Sequence, residues 1–222
     1  MHPTTPAAPA EHVFSQSPAE ERANAASHGV AVLLALAAVP AAAAGAEALP
    51  HPFQQAGVAV FFTTMVLMYL VSTVYHLLPV GPTKRLLRRW DHALIFVFIA
   101  GSFTPFALLG QRHGDGPGAL VAVWSLALLG MVLKLRGRLR RPLPSTGLYM
   151  AFGWLAAWVV WPVLGLLSAE GLALLVAGGL AYMVGCGFFL LDRRLRYSHL
   201  VWHLFVVVGS LCHVMAVQHA TL

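Results

Sequence analysis

His199 and His203 stand four residues apart at the head of an apolar run that begins Tyr197-Ser198-His199-Leu200-Val201-Trp202-His203. On an α-helix, positions i and i+4 share one face, so two imidazoles at this spacing can hold one metal ion. His76 ends another apolar run, Ser72 lies one helical turn before it, and Asp91 opens a third. Neutral imidazole is a good zinc ligand, and three protein ligands leave a fourth position for water. Zinc lowers the pKa of that water toward neutrality. Asp91 can then orient the water or take its proton, and Ser72 can donate a hydrogen bond to a developing oxyanion. A structural zinc site would close with a fourth side chain. Cys186 and Cys212 are the only cysteines, and both sit within apolar runs away from these histidines.

The elements that must position these groups are membrane helices. Hydrophobic residues make up 59% of the 222-residue chain and charged residues 10%, which points away from a soluble domain. A spanning helix needs about 20 apolar residues. Seven stretches qualify: Ala25–Ala46, Ala56–Leu78, Ala93–Leu109, Ala119–Leu135, Thr146–Leu167, Gly171–Leu191 and His199–Ala220. The expected fold is all-α, a seven-helix membrane bundle over residues 24–222. Residues 1–23 are rich in Pro, Ala and Thr, lack a basic signal-peptide head, and read as a mobile cytoplasmic tail.

The basic residues predict the orientation. Lys84, Arg85, Arg88 and Arg89 lie between spans two and three. Lys134, Arg136, Arg138, Arg140 and Arg141 follow span four, and Arg193, Arg194 and Arg196 precede span seven. All three clusters fall on one side of a seven-span weave, with Arg112 on the other. The positive-inside rule then places the N-terminus in the cytoplasm and the C-terminus outside. This asymmetry accounts for the formal net charge of +6 without a nucleic-acid surface, and the clusters suit anionic lipid head groups. In this weave His76, Asp91, His199 and His203 share the cytoplasmic depth with Glu21, Asn24 and His28 of span one. Ionisable groups inside a bilayer are costly and usually functional. His213 lies about 15 Å deeper than His203 by helical rise and cannot share its ion.

Plainer roles stand beside these. His199 and His203 can be interfacial histidines at a helix end. Ser72 can bond its own helix backbone, and Asp91 can be the N-cap of span three. Glu21, Asn24 and His28 share one helical face and read as a hydrogen-bond network beside the site. Pro40, Pro105 and Pro162 read as kinks, and Gly178, Gly179, Gly185 and Gly187 as close helix packing.

Four motifs occur together and in order. They are Glu21-Arg22-Ala23-Asn24-Ala25-Ala26-Ser27-His28, Ser72-Thr73-Val74-Tyr75-His76, the run from Asp91 to Pro105, and Ser198-His199-Leu200-Val201-Trp202-His203 with Gly209-Ser210-Leu211-Cys212-His213. Over about residues 20–219 the chain resembles the hemolysin III family of the progestin and adipoQ receptor superfamily, which includes adiponectin-receptor-like proteins. The resemblance implies seven helices with the N-terminus inside and a zinc ion near the cytoplasmic leaflet, held by His76, His199 and His203. It further implies that Asp91 contacts the zinc through water. Eukaryotic relatives resemble alkaline ceramidases, linked to lipid amide hydrolysis. Bacterial members carry a haemolysin name and are associated with membrane homeostasis.

The expectation is therefore a multi-pass protein of the bacterial inner membrane. Its first functional reading is a zinc-dependent hydrolase of a lipid amide or ester, with membrane lipid as substrate or ligand. The second is a non-enzymatic membrane-homeostasis sensor or regulator with structural zinc. The third is a cytolytic pore. A pore needs a polar stripe across the full bilayer, whereas these polar groups gather on one side. A retinal protein needs a lysine deep in the last span, and the only lysines are Lys84 and Lys134. The orientation is testable with tags. A tag before Met1 should be reached only after the membrane is opened, and one after Leu222 from outside the intact cell. Both tags on the same side would rule out an odd number of spans.

Overall fold

A computed structural model describes residues 16–47, 49, 52–109 and 118–219. Seven helices account for nearly all of them: α1 (Pro18–Glu47), α2 (Pro52–Leu77), α3 (Pro82–Leu109), α4 (Gly118–Leu135), α5 (Pro142–Val160), α6 (Ala169–Leu190) and α7 (Ser198–His219). All seven are long and apolar enough to cross a membrane. Among the described residues there is no strand. Arg112 and residues 1–15 of the expected tail lie outside the described residues.

Local chemistry explains where the helices begin and end. Ser17 and Glu20 cap the start of α1 reciprocally. The Glu20 backbone N–H donates to Ser17 Oγ at 3.3 Å, and the Glu20 carboxylate accepts the Ser17 N–H at 2.9 Å. This is the Ser-x-x-Glu capping box, with Pro18 in the first helical position, where a missing N–H costs nothing. Residues 18–23, which their composition assigned to the tail, are therefore helical. α3 opens at Pro82, well before its apolar stretch, so Lys84, Arg85, Arg88 and Arg89 ride on its first turns. Asp91 then lies inside the helix, which excludes the N-cap role. Pro40 and Pro105 sit within α1 and α3. Pro162 instead follows the end of α5, inside a short 3₁₀ helix over Trp161–Leu166, as expected for a residue that removes a helical donor.

The bundle has a centre and a periphery. In α3, 61% of the apolar window is buried, against 17% in α4 and α6, so α3 is interior and the other two face outward. α2 lies between α1 and α3, and α7 lies between α6 and α1. Phe61, Met65, Tyr69, Phe98, Phe106, Trp202 and Val206 form the main core. A smaller cluster of Phe96, Ala100, Val123, Ala127, Tyr149 and Phe152 joins α3 to α4 and α5. The outward faces carry exposed Leu33, Leu129, Trp158 and Leu180, as lipid contact requires.

The α6–α7 contact depends on a small residue. At Gly178 a Cβ would overlap the His213 ring, whereas at Gly179 it would meet nothing. The spans of one helix therefore split into a packed face and a free face. Gly178→Ala should cost about 1–3 kcal/mol by overpacking and lower the melting temperature in detergent. Gly179→Ala should leave it unchanged or slightly raised, since alanine is the better helix former. Equal melting of the two variants would contradict this packing.

Candidate metal centre

α2 ends, and α7 begins, at the end of the bundle that carries the basic clusters. That geometry brings His76 from the last turn of α2 beside His199 and His203 from the first turns of α7. One ring nitrogen from each lies within 4.8 Å of the others. The ring centroids are 5.1 Å apart for His76–His199 and for His76–His203, and 4.7 Å apart for His199–His203. All three side chains are buried. Among the described residues this cluster contains three imidazoles and no carboxylate.

The two nitrogens of each ring have different surroundings. His76 Nδ1 lies 2.8 Å from Glu21 Oε2. His199 Nδ1 lies 3.2 Å from Asp192 Oδ2. His203 Nδ1 lies 3.0 Å from Ser27 Oγ and 3.3 Å from the Asn24 carbonyl. Carboxylates and carbonyls only accept hydrogen bonds. Ser27 already donates its hydroxyl proton to the Asn24 carbonyl, so it too accepts from His203. Each imidazole is thus a donor at Nδ1, which leaves an unprotonated Nε2 in the neutral ring. The Nε2 atoms of His76, His199 and His203 are buried and have no hydrogen-bond partner. Three inward lone pairs with outer hydrogen bonds match the pattern of metal-binding histidine, so the residues present fit a metal ion.

Two further expected residues carry buried oxygens that accept no hydrogen bond. Ser72 is 1% exposed and Asp91 4%, and Ser72 Oγ and Asp91 Oδ2 have no hydrogen-bond partner. Thr64, Thr73, Ser102, Thr104 and Ser210 each bond a carbonyl of their own helix. Ser72 does not, which removes the plain backbone role. His92 Nδ1 donates to the Arg88 carbonyl at 2.7 Å and lies 3.5 Å from Asp91 Oδ2.

The face of α1 that carries Glu21, Asn24 and His28 closes the centre from one side. His28 stacks on His203, with centroids 3.6 Å apart and rings 7° from parallel, and meets Tyr69 edge-on at 4.9 Å. Both of its nitrogens are buried without a partner. His213 lies apart, caged by Phe103, Phe106 and Tyr182. Sequence reasoning missed Gln16, Ser27 and Asp192. Asp192 lies in the connection before α7, where burial raises its carboxyl pKa, but hydrogen bonds from His199 and Gln16 outweigh that and hold it below the ordinary value. No periodicity marks a loop residue of this kind. Ser27 has a signal only once Asn24 is known to face the site, three residues earlier on the helix.

With this geometry in place, the likenesses to known proteins can be weighed. The chain matches the Haemolysin-III related family over residues 16–214. It is 40% identical over 192 residues to the Hemolysin-3 homolog of Bacillus subtilis (strain 168), covering 86% of this chain and 89% of that protein. It is 37% identical over 193 residues to Hemolysin-3 of Bacillus cereus, covering 86% and 87%. A more distant likeness, 28% over 157 residues, links it to the human Monocyte to macrophage differentiation factor, covering 68% and 64%. A seven-helix membrane bundle with three metal-competent histidines at one end, matched over most of its length, is a member of the haemolysin III-related family.

Proposed function

We propose that this chain is a zinc-dependent hydrolase of a lipid amide or ester, working at the cytoplasmic leaflet of the bacterial inner membrane. The observation that carries this reading is that, of the eleven buried side-chain atoms without a hydrogen-bond partner among the described residues, five belong to the expected site: Ser72 Oγ, Asp91 Oδ2 and the Nε2 of His76, His199 and His203. A buried polar atom left unpaired costs about 1–3 kcal/mol. Five such atoms at one end of a bundle that satisfies its other hydroxyls are a liability for folding alone. They suit a centre that binds something.

When bound, zinc would act as a Lewis acid that polarises a carbonyl and brings a water near neutral pKa. His76, His199 and His203 would hold the ion as neutral ligands. Asp91 takes the proton of the attacking water and returns it to the leaving amine or alcohol. The carbon–nitrogen or carbon–oxygen bond breaks, and a fatty acid and an amine or alcohol leave. Ser72 donates to the carbonyl oxygen as negative charge grows on it. The placement supports a lipid carbonyl: His76 lies in the last turn of α2 and His199 in the first turn of α7, at the ends of apolar spans. The basic clusters at the same end support the cytoplasmic leaflet.

The purified protein should hold about one zinc per chain, and the His76, His199 and His203 triple alanine variant should hold none by elemental analysis. Wild-type metal content in that variant would end the metal reading. Asp91→Asn should keep most of the zinc and the fold but abolish hydrolysis, because an amide can bond water without accepting its proton. Both forms are to be reconstituted in bilayers with ceramide-like lipids and phospholipids, and free fatty acid followed. Equal, non-zero release removes Asp91 from the mechanism. No wild-type release over a broad lipid panel favours a membrane regulator with structural zinc.

A further inference from the structure

Gln16 and the opening turns of α1 that follow it touch every histidine of the trio, directly or through one intermediate. We infer that Glu21, Asp192 and Ser27 are positioning residues for the metal, each holding one imidazole by its Nδ1, with the start of α1 as the clamp that assembles them. This inference rests on the metal reading and extends it to residues outside the cluster.

The chain of contacts is specific. Glu21 bonds His76 at 2.8 Å and shares the same oxygen with Lys84 at 3.0 Å. Lys84 also donates to the carbonyls of Tyr75, His76 and Leu78 at the end of α2, so the carboxylate is fixed to the helix that presents His76. Asp192 bonds His199 and is held in turn by the Gln16 amide at 3.2 and 3.3 Å. Asn24 donates to Gln16 at 2.8 Å and offers its carbonyl to His203. Glu20 accepts the backbone N–H of Tyr197 at 2.9 Å. Tyr197 has φ 58°, a left-handed conformation uncommon outside glycine, and it precedes the first residue of α7. The stretch from Gln16 to Ser27 therefore sets the ring hydrogen bonds of His76 and His203, braces the partner of His199, and pins the turn that launches α7.

Two physical consequences follow. Each Nδ1 hydrogen bond fixes the tautomer with Nε2 free and raises the basicity of the ligand. Glu21 and Asp192 also place two carboxylates behind the trio, where they offset the charge of a buried dication. Mutation of such outer partners typically weakens metal binding 10–100-fold.

The test measures metal rather than turnover. Zinc affinity of the full-length protein in lipid nanodiscs is read by competition with a chromogenic chelator, and the cobalt-substituted protein by its visible absorption. Glu21→Ala and Asp192→Ala should each weaken zinc about 10–100-fold and change the cobalt bands. Glu21→Gln, which keeps an acceptor oxygen, should recover part of the loss. Glu170→Gln, which removes a carboxylate 3.7 Å from His219 at the other end of α7, should leave affinity and spectrum at wild-type values. The inference is overturned if Glu21→Ala and Asp192→Ala lower the melting temperature while zinc affinity and the cobalt spectrum stay unchanged. Should Glu21→Ala fail to fold, Asp192→Ala carries the same test for His199 from a connection outside the helices. Wild-type protein that takes up no metal ends the metal reading itself. Wild-type binding that all the variants share ends only the positioning role. Weakened metal in the variants upholds that role even where no lipid is hydrolysed.

Discussion

The free Nε2 of each histidine in the trio is what the rest of this structure is arranged around. An apolar bundle can tolerate helices because every backbone group is paired within its own segment. It cannot cheaply tolerate a bare imidazole nitrogen, and here three of them meet. The Nδ1 partners keep those nitrogens bare. If Glu21, Asp192 and Ser27 were absent, the rings could turn and satisfy themselves on other groups. The outer hydrogen bonds thus hold the centre in a state that only an added partner completes.

That constraint explains the division of labour among the helices. α2, α3 and α7 are the most buried spans, and between them they carry Ser72, His76, Asp91, His199 and His203. α1 is largely exposed along its length, with 11% of its apolar window buried, yet its first turns are among the most polar and best enclosed parts of the molecule. Asn24 is 0% exposed and His28 2%. A span that is mostly lipid-facing is therefore tied to the core by charged and hydrogen-bonded contacts at one end and by small residues such as Ala31, Ala35 and Ala42 along the rest. α4 and α6 supply apolar walls and no group to the centre.

The pattern of spans was legible because hydropathy over 18 or more residues is a strong signal. The helix ends were not. Lys84 to Arg89 depress hydropathy where α3 has already begun, and residues 18–22 read as tail although Ser17 and Glu20 cap a helix there. The capping box is visible in the sequence, but only to a search for Ser-x-x-Glu ahead of a polar stretch rather than an apolar one. The trio was legible from the i, i+4 spacing of His199 and His203 and from the depth of His76. Asp192 was not, because its partner His199 lies across a turn whose geometry depends on Tyr197 and Glu20, and those two are far apart in the chain.

Placement at the basic end has its own logic. Glu21 and Asp192 lie at the end of the bundle that carries the Lys and Arg clusters, and they stay partly exposed while the rings they hold are buried. The side chain of Glu21 is 21% exposed against 0% for His76, and that of Asp192 is 26% against 6% for His199. A carboxylate at the midplane would have to be neutralised or lose its charge. At the boundary it stays ionised and still acts on a ring inside. The centre therefore sits at the depth where a dry set of nitrogens and a wet set of carboxylates can be hydrogen-bonded to one another, and a seven-span weave brings the ends of α2 and α7 and the start of α1 to that depth together.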